Sequence, residues 1–159
     1  KGLFEQIKEH PNITHHGFQP NDVVRQALQK SHIMAYPNTW METSCLSLME
    51  AMSAECFCVH SDLGALPETA ANWTYMYGFH EDKNQHAGIF HRALESTINI
   101  IRENDEGSLM KVKGAKSYCD LFYNWEIRKM HWEVFLRGLV NLPTTIEENE
   151  GAFFTYRVA

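Results

Sequence analysis

Two glutamates stand eight positions apart in the stretch Tyr36-Pro37-Asn38-Thr39-Trp40-Met41-Glu42-Thr43-Ser44-Cys45-Leu46-Ser47-Leu48-Met49-Glu50-Ala51-Met52. Ionised carboxylates only accept hydrogen bonds, so a pair at two depths of one cleft suits the hydroxyls spaced along a polyol or a sugar nucleotide. On one continuous helix, residues eight apart diverge by about 80°. A shared task therefore requires that Glu42 precede the helix and Glu50 lie within it. The pattern agrees: the apolar run Ile33 to Tyr36 stops at Pro37 and a polar loop follows. Thr43 and Ser44 then offer N-cap side chains to a segment with apolar residues at Cys45, Leu48, Met49 and Met52. In open α/β sheets, such a junction between a strand end and a helix N-terminus is where anionic ligands sit. The backbone amides of Ser44, Cys45 and Leu46 would face a phosphate there. Spacing alone leaves a plainer alternative open and favours it: Glu42 as a solvated loop residue and Glu50 as ordinary helix surface.

The elements that must position these residues follow from periodicity. Leu3 to Glu9 reads as a helix ending before Pro11, and Asn12 to His16 as a short strand closed by Gly17. Phe18 to Asp22 supplies a loop and an N-cap for a helix with its apolar stripe at Val23, Val24, Ala27 and Leu28. After the Ser44 to Ala54 helix comes a strand at Cys56 to His60, then a loop from Ser61 to Glu68. In that loop Gly64 is free to take positive φ and Pro67 suits a first helical turn, leading into a short helix over 68–71. Tyr75 to Tyr77 is a further strand. Roughly twenty residues between strands fit αβ units of a parallel sheet. Gln85 to Glu103, Gly107 to Leu121 and Trp125 to Leu139 read as three helices that would cover it. The expected fold class is thus α/β, a Rossmann-like parallel sheet with helices on both faces followed by C-terminal helices. Residues 1–140 form the expected domain, and the acidic 141–159 a mobile tail.

A chain of 159 residues, 44% apolar and 21% charged, is ordinary globular composition and long enough for a core. No apolar run approaches the roughly 20 residues of a membrane span, and no signal-peptide core is visible. Net charge −6, with Lys and Arg scattered, argues against a nucleic-acid partner. Cys45, Cys56, Cys58 and Cys119 form no CxxC pair, so reduced thiols and a cytoplasmic setting are expected.

Three further groups invite chemistry. His15-His16 on a strand would point to opposite faces, and His86 and His91 diverge on a helix, so no metal site is expected. Cys45 near a helix N-terminus could have a lowered thiol pKa, although a small hydrophobe on a helix face is the commoner case. Phe122, Trp125, Trp132, Phe135 and Leu136 read as core or inter-domain packing rather than a sugar platform.

Tyr36-Pro37, Glu42-x7-Glu50-Ala51-Met52 and Ser61-Asp62-x-Gly64-x-x-Pro67-Glu68 fall at mutual distances that resemble one family. It is the C-terminal, nucleotide-sugar-binding domain of retaining GT-B glycosyltransferases, the large group-1 (glycogen-synthase-like) family. His16-Gly17-Phe18-Gln19-Pro20 and Asn124-Trp125-Glu126 agree with its flanks, so the likeness spans about residues 12 to 138. The resemblance implies that Glu42 accepts hydrogen bonds from the donor sugar and acts at the catalytic centre, and that Glu50 holds the ribose hydroxyls. It further implies that Ser44, Cys45 and Leu46 approach the diphosphate or sugar, and that the loop Gly17, Phe18, Gln19 and Pro20 passes near the base. A nucleoside-diphosphate sugar is then the substrate, and neither cofactor nor metal is needed. The family's phosphate-binding Arg and Lys would lie before Lys1, as part of a truncated stretch. The partner implied is an absent N-terminal domain of the same chain, which carries the acceptor side and any peripheral membrane contact; the fragment alone would be inactive. Two departures are plain: Glu55 and Phe57 stand where the family usually has Gly and Pro, and Ser44-Cys45 replaces its aromatic-Gly pair. The turn after the helix is therefore expected to be built differently. A non-catalytic binding or assembly module on the same half-fold stays open, as does, more weakly, a flavodoxin-like or receiver-like domain.

Overall fold

Apolar runs too short for helices become strands, and the polar, glycine-bearing segments after them become the loops that carry the site. The computed structural model describes residues 2–140. Its elements in chain order are α1 (Leu3–Glu9), α2 (Asn21–Leu28), β1 (Ile33–Tyr36), α3 (Leu46–Ser53), β2 (Phe57–Ser61), α4 (Leu66–Ala70) and β3 (Tyr75–Tyr77). Three longer helices follow, α5 (Lys83–Glu103), α6 (Glu106–Phe122) and α7 (Trp125–Val140). The strands form one parallel sheet in the order β1-β2-β3, with Ile33 opposite Phe57 and Val59 opposite Tyr75. Because parallel neighbours need a crossover, α3 returns the chain from β1 to β2 and α4 from β2 to β3. This is the α/β, Rossmann-like partial domain expected from the sequence.

Burial concentrates on the middle strand. All five residues of β2 are buried, and Val59, His60 and Ser61 are wholly so. A strand buried on both pleat faces reads as a continuous apolar run, and it needs cover on each face. Helices α3 and α5 pack on it, α5 also reaching β3. Leu48, Ala51 and Met52 of α3 and Leu66 of α4 are fully buried. Removing about three methylenes at Leu48 (Leu48→Ala) would leave a cavity, and such core truncations cost about 2–5 kcal/mol. Helix α5 starts on a side-chain cap, Asp82 Oδ1 accepting from the Asn84 amide at 3.1 Å and the Gln85 amide at 2.9 Å.

The chain divides into two compact units, one up to Ser117 and one from Tyr118, with α6 running through the boundary. Within the second unit the residues of α7 from His131 to Val140 are all exposed. Phe122, Trp125, Trp132, Phe135 and Leu136, expected to pack in the core or between domains, are exposed here and so are not core of the described residues.

Other expectations are also corrected. Asn12 to His16 is not a strand: it pairs with no neighbour, and a run of alternating residues becomes a strand only where an edge accepts its backbone. His15 and His16 therefore do not alternate across a sheet, and His15 meets the Phe4 ring edge-on at 5.7 Å. Helix α3 starts at Leu46, two residues later than the Thr43-Ser44 pattern suggests, and neither side chain caps it. Cys45 stands at the N-cap in extended conformation (φ −104°, ψ 95°). Strand β2 lies one residue later than read, and α4 starts two residues earlier and ends one earlier. The acidic tail assigned to 141–159 lies outside the described residues.

Candidate functional site

The carboxyl ends of the parallel strands are stitched together by side chains from the loops that leave them. After β1, buried Asn38 accepts a hydrogen bond at 2.8 Å from the Ser61 hydroxyl at the end of β2. The same amide donates at 3.2 Å to the Trp40 carbonyl. After β2, Asp62 accepts from the Phe79 amide at 2.6 Å, and its own amide donates to the Tyr77 carbonyl at 2.9 Å, tying in the end of β3. Three strand ends thus present one rigid rim, the position at which open α/β sheets take ligands.

Glu42 sits in the loop between β1 and α3, half-buried, and is held from two sides. Its carbonyl accepts the Ala65 amide at 2.8 Å from the loop after β2. Its carboxylate Oε1 accepts the Tyr36 hydroxyl at 2.6 Å, at charge-assisted length. The Tyr36 pKa is pushed well up, first by burial and then by the bond to Glu42 and its negative charge, so the phenol stays a donor. Gly64 allows the loop to approach. It adopts φ +66°, and a Cβ there would stand 2.6 Å from the Glu42 carbonyl oxygen and 2.8 Å from its nitrogen. Positive φ at Gly64 agrees with the sequence reading, and so does Pro67 in the first turn of the next helix.

Glu50 lies on α3, half-buried, and its Oε1 accepts the Asn21 side-chain amide at 2.7 Å. Asn21 is the first residue of α2, directly after the Gly17 to Pro20 loop, so that loop is moored beside Glu50. Within the loop Gly17 has φ +63°, Phe18 is almost fully exposed, and Pro20 takes the N-cap position. Gln19 is half-buried and donates to the His16 carbonyl at 2.5 Å.

Among the three residues expected to offer amides, Ser44 is exposed, Cys45 is buried at the N-cap, and Leu46 is the first residue of α3 with its side chain exposed. Because α3 starts at Leu46, its first-turn amides belong to Leu46, Ser47 and Leu48 rather than to Ser44 to Leu46. The Cys45 thiol is not activated: burial pushes its pKa up, more than the Leu48 and Ser47 amides beside it pull it down. It is a small buried hydrophobe at this point of the chain.

Glu55, one of the departures noted in the sequence, lies in the turn after α3. Glu55 has φ 61°, its amide bonds to the Met52 carbonyl at 3.1 Å and the Cys56 amide to the Ala51 carbonyl at 2.9 Å. This is the left-handed closure that glycine usually makes, here carried by glutamate.

Sequence reasoning missed Tyr36 and Asn21 as partners of the two carboxylates. Tyr36-Pro37 was visible as a motif, but nothing in it indicates an acceptor six residues on. Asn21 stood in a segment read as an N-cap; its side chain instead reaches 29 residues along the chain.

An α/β protein with a parallel sheet, one anchored carboxylate, Glu42, in the loop after β1 and a second, Glu50, on α3 is the class that fold and site define. The family model for glycosyl transferases group 1 matches residues 1–116. The chain belongs to that family, and glycosyl transfer is its general activity. No curated protein and no solved structure matches the chain significantly. Among the described residues, no helix is long and apolar enough to cross a membrane.

Proposed function

We propose that this chain forms the donor-binding wall of a retaining, GT-B-type glycosyltransferase that uses a nucleoside-diphosphate sugar. The observation that carries the reading is the double anchoring of Glu42 at the end of β1, by the Tyr36 hydroxyl and by the Ala65 amide. A carboxylate held at both main chain and side chain suits recognition of a sugar hydroxyl, where a misplacement of about 1 Å is costly. Glu42 accepts from the donor sugar at the catalytic centre, and Glu50, with Oε1 already taken by Asn21, offers its other oxygen to ribose hydroxyls. Of the Ser44, Cys45 and Leu46 amides, that of Leu46, which opens α3, approaches the diphosphate, and the Gly17 to Pro20 loop lies toward the base. As the bond from sugar to phosphate breaks, negative charge develops on the leaving nucleoside diphosphate, and fixed donors stabilise it.

Calorimetric titration of the full-length protein with UDP-, GDP- and ADP-sugars tests the site. Glu50→Ala removes a charge-assisted hydrogen bond, so binding is expected to weaken by about 1.5–3 kcal/mol, roughly ten- to a hundredfold. Unchanged affinity would remove Glu50 from the site.

A further inference from the structure

Tyr36 is the last residue of β1, and its backbone is fixed in the sheet opposite His60. Its side chain has two rotatable bonds and is half-buried, so it is a stiffer object than the carboxylate it contacts. Glu42 has three rotatable bonds and belongs to a loop whose neighbours Trp40 and Met41 are exposed. The Ala65 amide secures the main chain of Glu42 but says nothing about where the carboxylate points. The group that fixes that direction is the Tyr36 hydroxyl, 2.6 Å from Oε1. Oε2 carries no protein hydrogen bond among the described residues. We infer that Tyr36 is a positioning residue: by holding one oxygen of Glu42 from the end of a strand, it aims the other at a hydroxyl of the donor sugar. The inference rests on the reading of Glu42 as the sugar-contacting carboxylate.

Positioning through Glu42 makes a distinction that general destabilisation does not. The sugar of a sugar nucleotide meets Glu42, whereas the nucleoside diphosphate alone does not. Tyr36→Phe keeps the ring and deletes only the donor. In the full-length protein, titrated with UDP-glucose, GDP-mannose and ADP-glucose, the sugar nucleotide that binds the wild type is expected to bind Tyr36→Phe about tenfold more weakly. The matching nucleoside diphosphate should bind both proteins equally. Glu42→Gln should show the same selective loss, and adding Tyr36→Phe to Glu42→Gln should change little further, since the two residues act as one unit.

If Tyr36→Phe binds the sugar nucleotide like wild type while Glu42→Gln does not, the positioning role falls and the reading of Glu42 stands. If Glu42→Gln is itself like wild type, or no sugar nucleotide of the three binds the wild type, the reading falls and the positioning role with it. Equal weakening toward sugar nucleotide and nucleoside diphosphate, or full additivity of the two substitutions, would show that Tyr36 acts on the fold and overturn the inference.

Discussion

Replacing Gly64 by alanine should cost the protein both stability and the setting of Glu42, and the two losses can be worked out separately. Gly64 has φ +66°, where a side chain adds about 1 kcal/mol of backbone strain. The new Cβ would stand 2.6 Å from the Glu42 carbonyl oxygen, and ordinary contact begins at 3.4 Å, so that oxygen must retreat by about 0.8 Å. Backbone cannot swing aside as a long side chain does, and overpacking of this kind costs about 1–3 kcal/mol. The same retreat strains the 2.8 Å bond from the Ala65 amide, which is the main-chain anchor of Glu42. The total is about 2–4 kcal/mol, or roughly 4–16 °C in thermal midpoint at 2–4 °C per kcal/mol for a chain of this size. Gly17 supplies the control: its φ is +63°, but nothing lies within 4 Å of its Cβ position. Gly17→Ala therefore carries the strain alone, about 1 kcal/mol. Urea denaturation of both variants against wild type gives the difference, which is the contact with Glu42 isolated from backbone strain. Equal destabilisation by the two substitutions would refute the claim that the Gly64 loop is pressed against Glu42.

Two further substitutions probe the frame around the site. Glu55 has φ 61° in the turn after α3, so Glu55→Gly should stabilise the protein by about 0.5–1 kcal/mol, after allowing for the greater freedom of glycine in the unfolded chain. A thermal midpoint that does not rise would contradict this. His60 is wholly buried, its Nδ1–H donating to the Ser61 carbonyl at 2.8 Å and its Nε2 accepting from the Thr74 hydroxyl at 2.7 Å. Burial lowers its pKa from the ordinary 6.5, against the opposing pull of the Ser61 carbonyl and Asp62. The unfolded chain then takes up a proton that the folded one resists, so this contribution to stability is full above the unfolded pKa. It is lost as pH falls through that value toward the folded one. Urea midpoints measured between about pH 7.5 and pH 5 should decline less in His60→Gln than in wild type; parallel curves would show that His60 does not titrate as argued.

What could be read without the structure was what depends on near neighbours along the chain. Ile33 to Tyr36 and Tyr75 to Tyr77 became strands at those bounds, and Gly64 and Pro67 took the backbone roles their chemistry allows. Phe90, Leu94, Thr97 and Ile101 share the inward face of α5, Thr97 being buried and the others half-buried. The failures share a different cause. Thr43 and Ser44 have the right side chains for a cap, but the Ala65 amide holds Glu42 and buried Cys45 stays extended, so the helix starts later. The contact that overrides the local preference, from Ala65 to Glu42, comes from a loop 23 residues further along the sequence. Asn12 to His16 failed as a strand for want of a pairing edge, which no local pattern specifies. The Tyr36–Glu42 and Asn21–Glu50 bonds escaped for the same reason: side-chain direction is decided by tertiary packing, whereas spacing yields only which residues are present. Family likeness pointed to Glu42 and Glu50, but it named neither of their partners.

The four cysteines carry no disulfide, and every one is buried. Cys45 adjoins the candidate site, Cys56 and Cys58 flank the start of the central strand, and Cys119 belongs to the second compact unit. An alkylating reagent in solution can reach each sulfur only when its surroundings open, so the native protein carries its own set of clocks. Their separate rates, read by mass spectrometry of peptides, would report how often the site, the sheet and the second unit come apart, without introducing a label or a substitution.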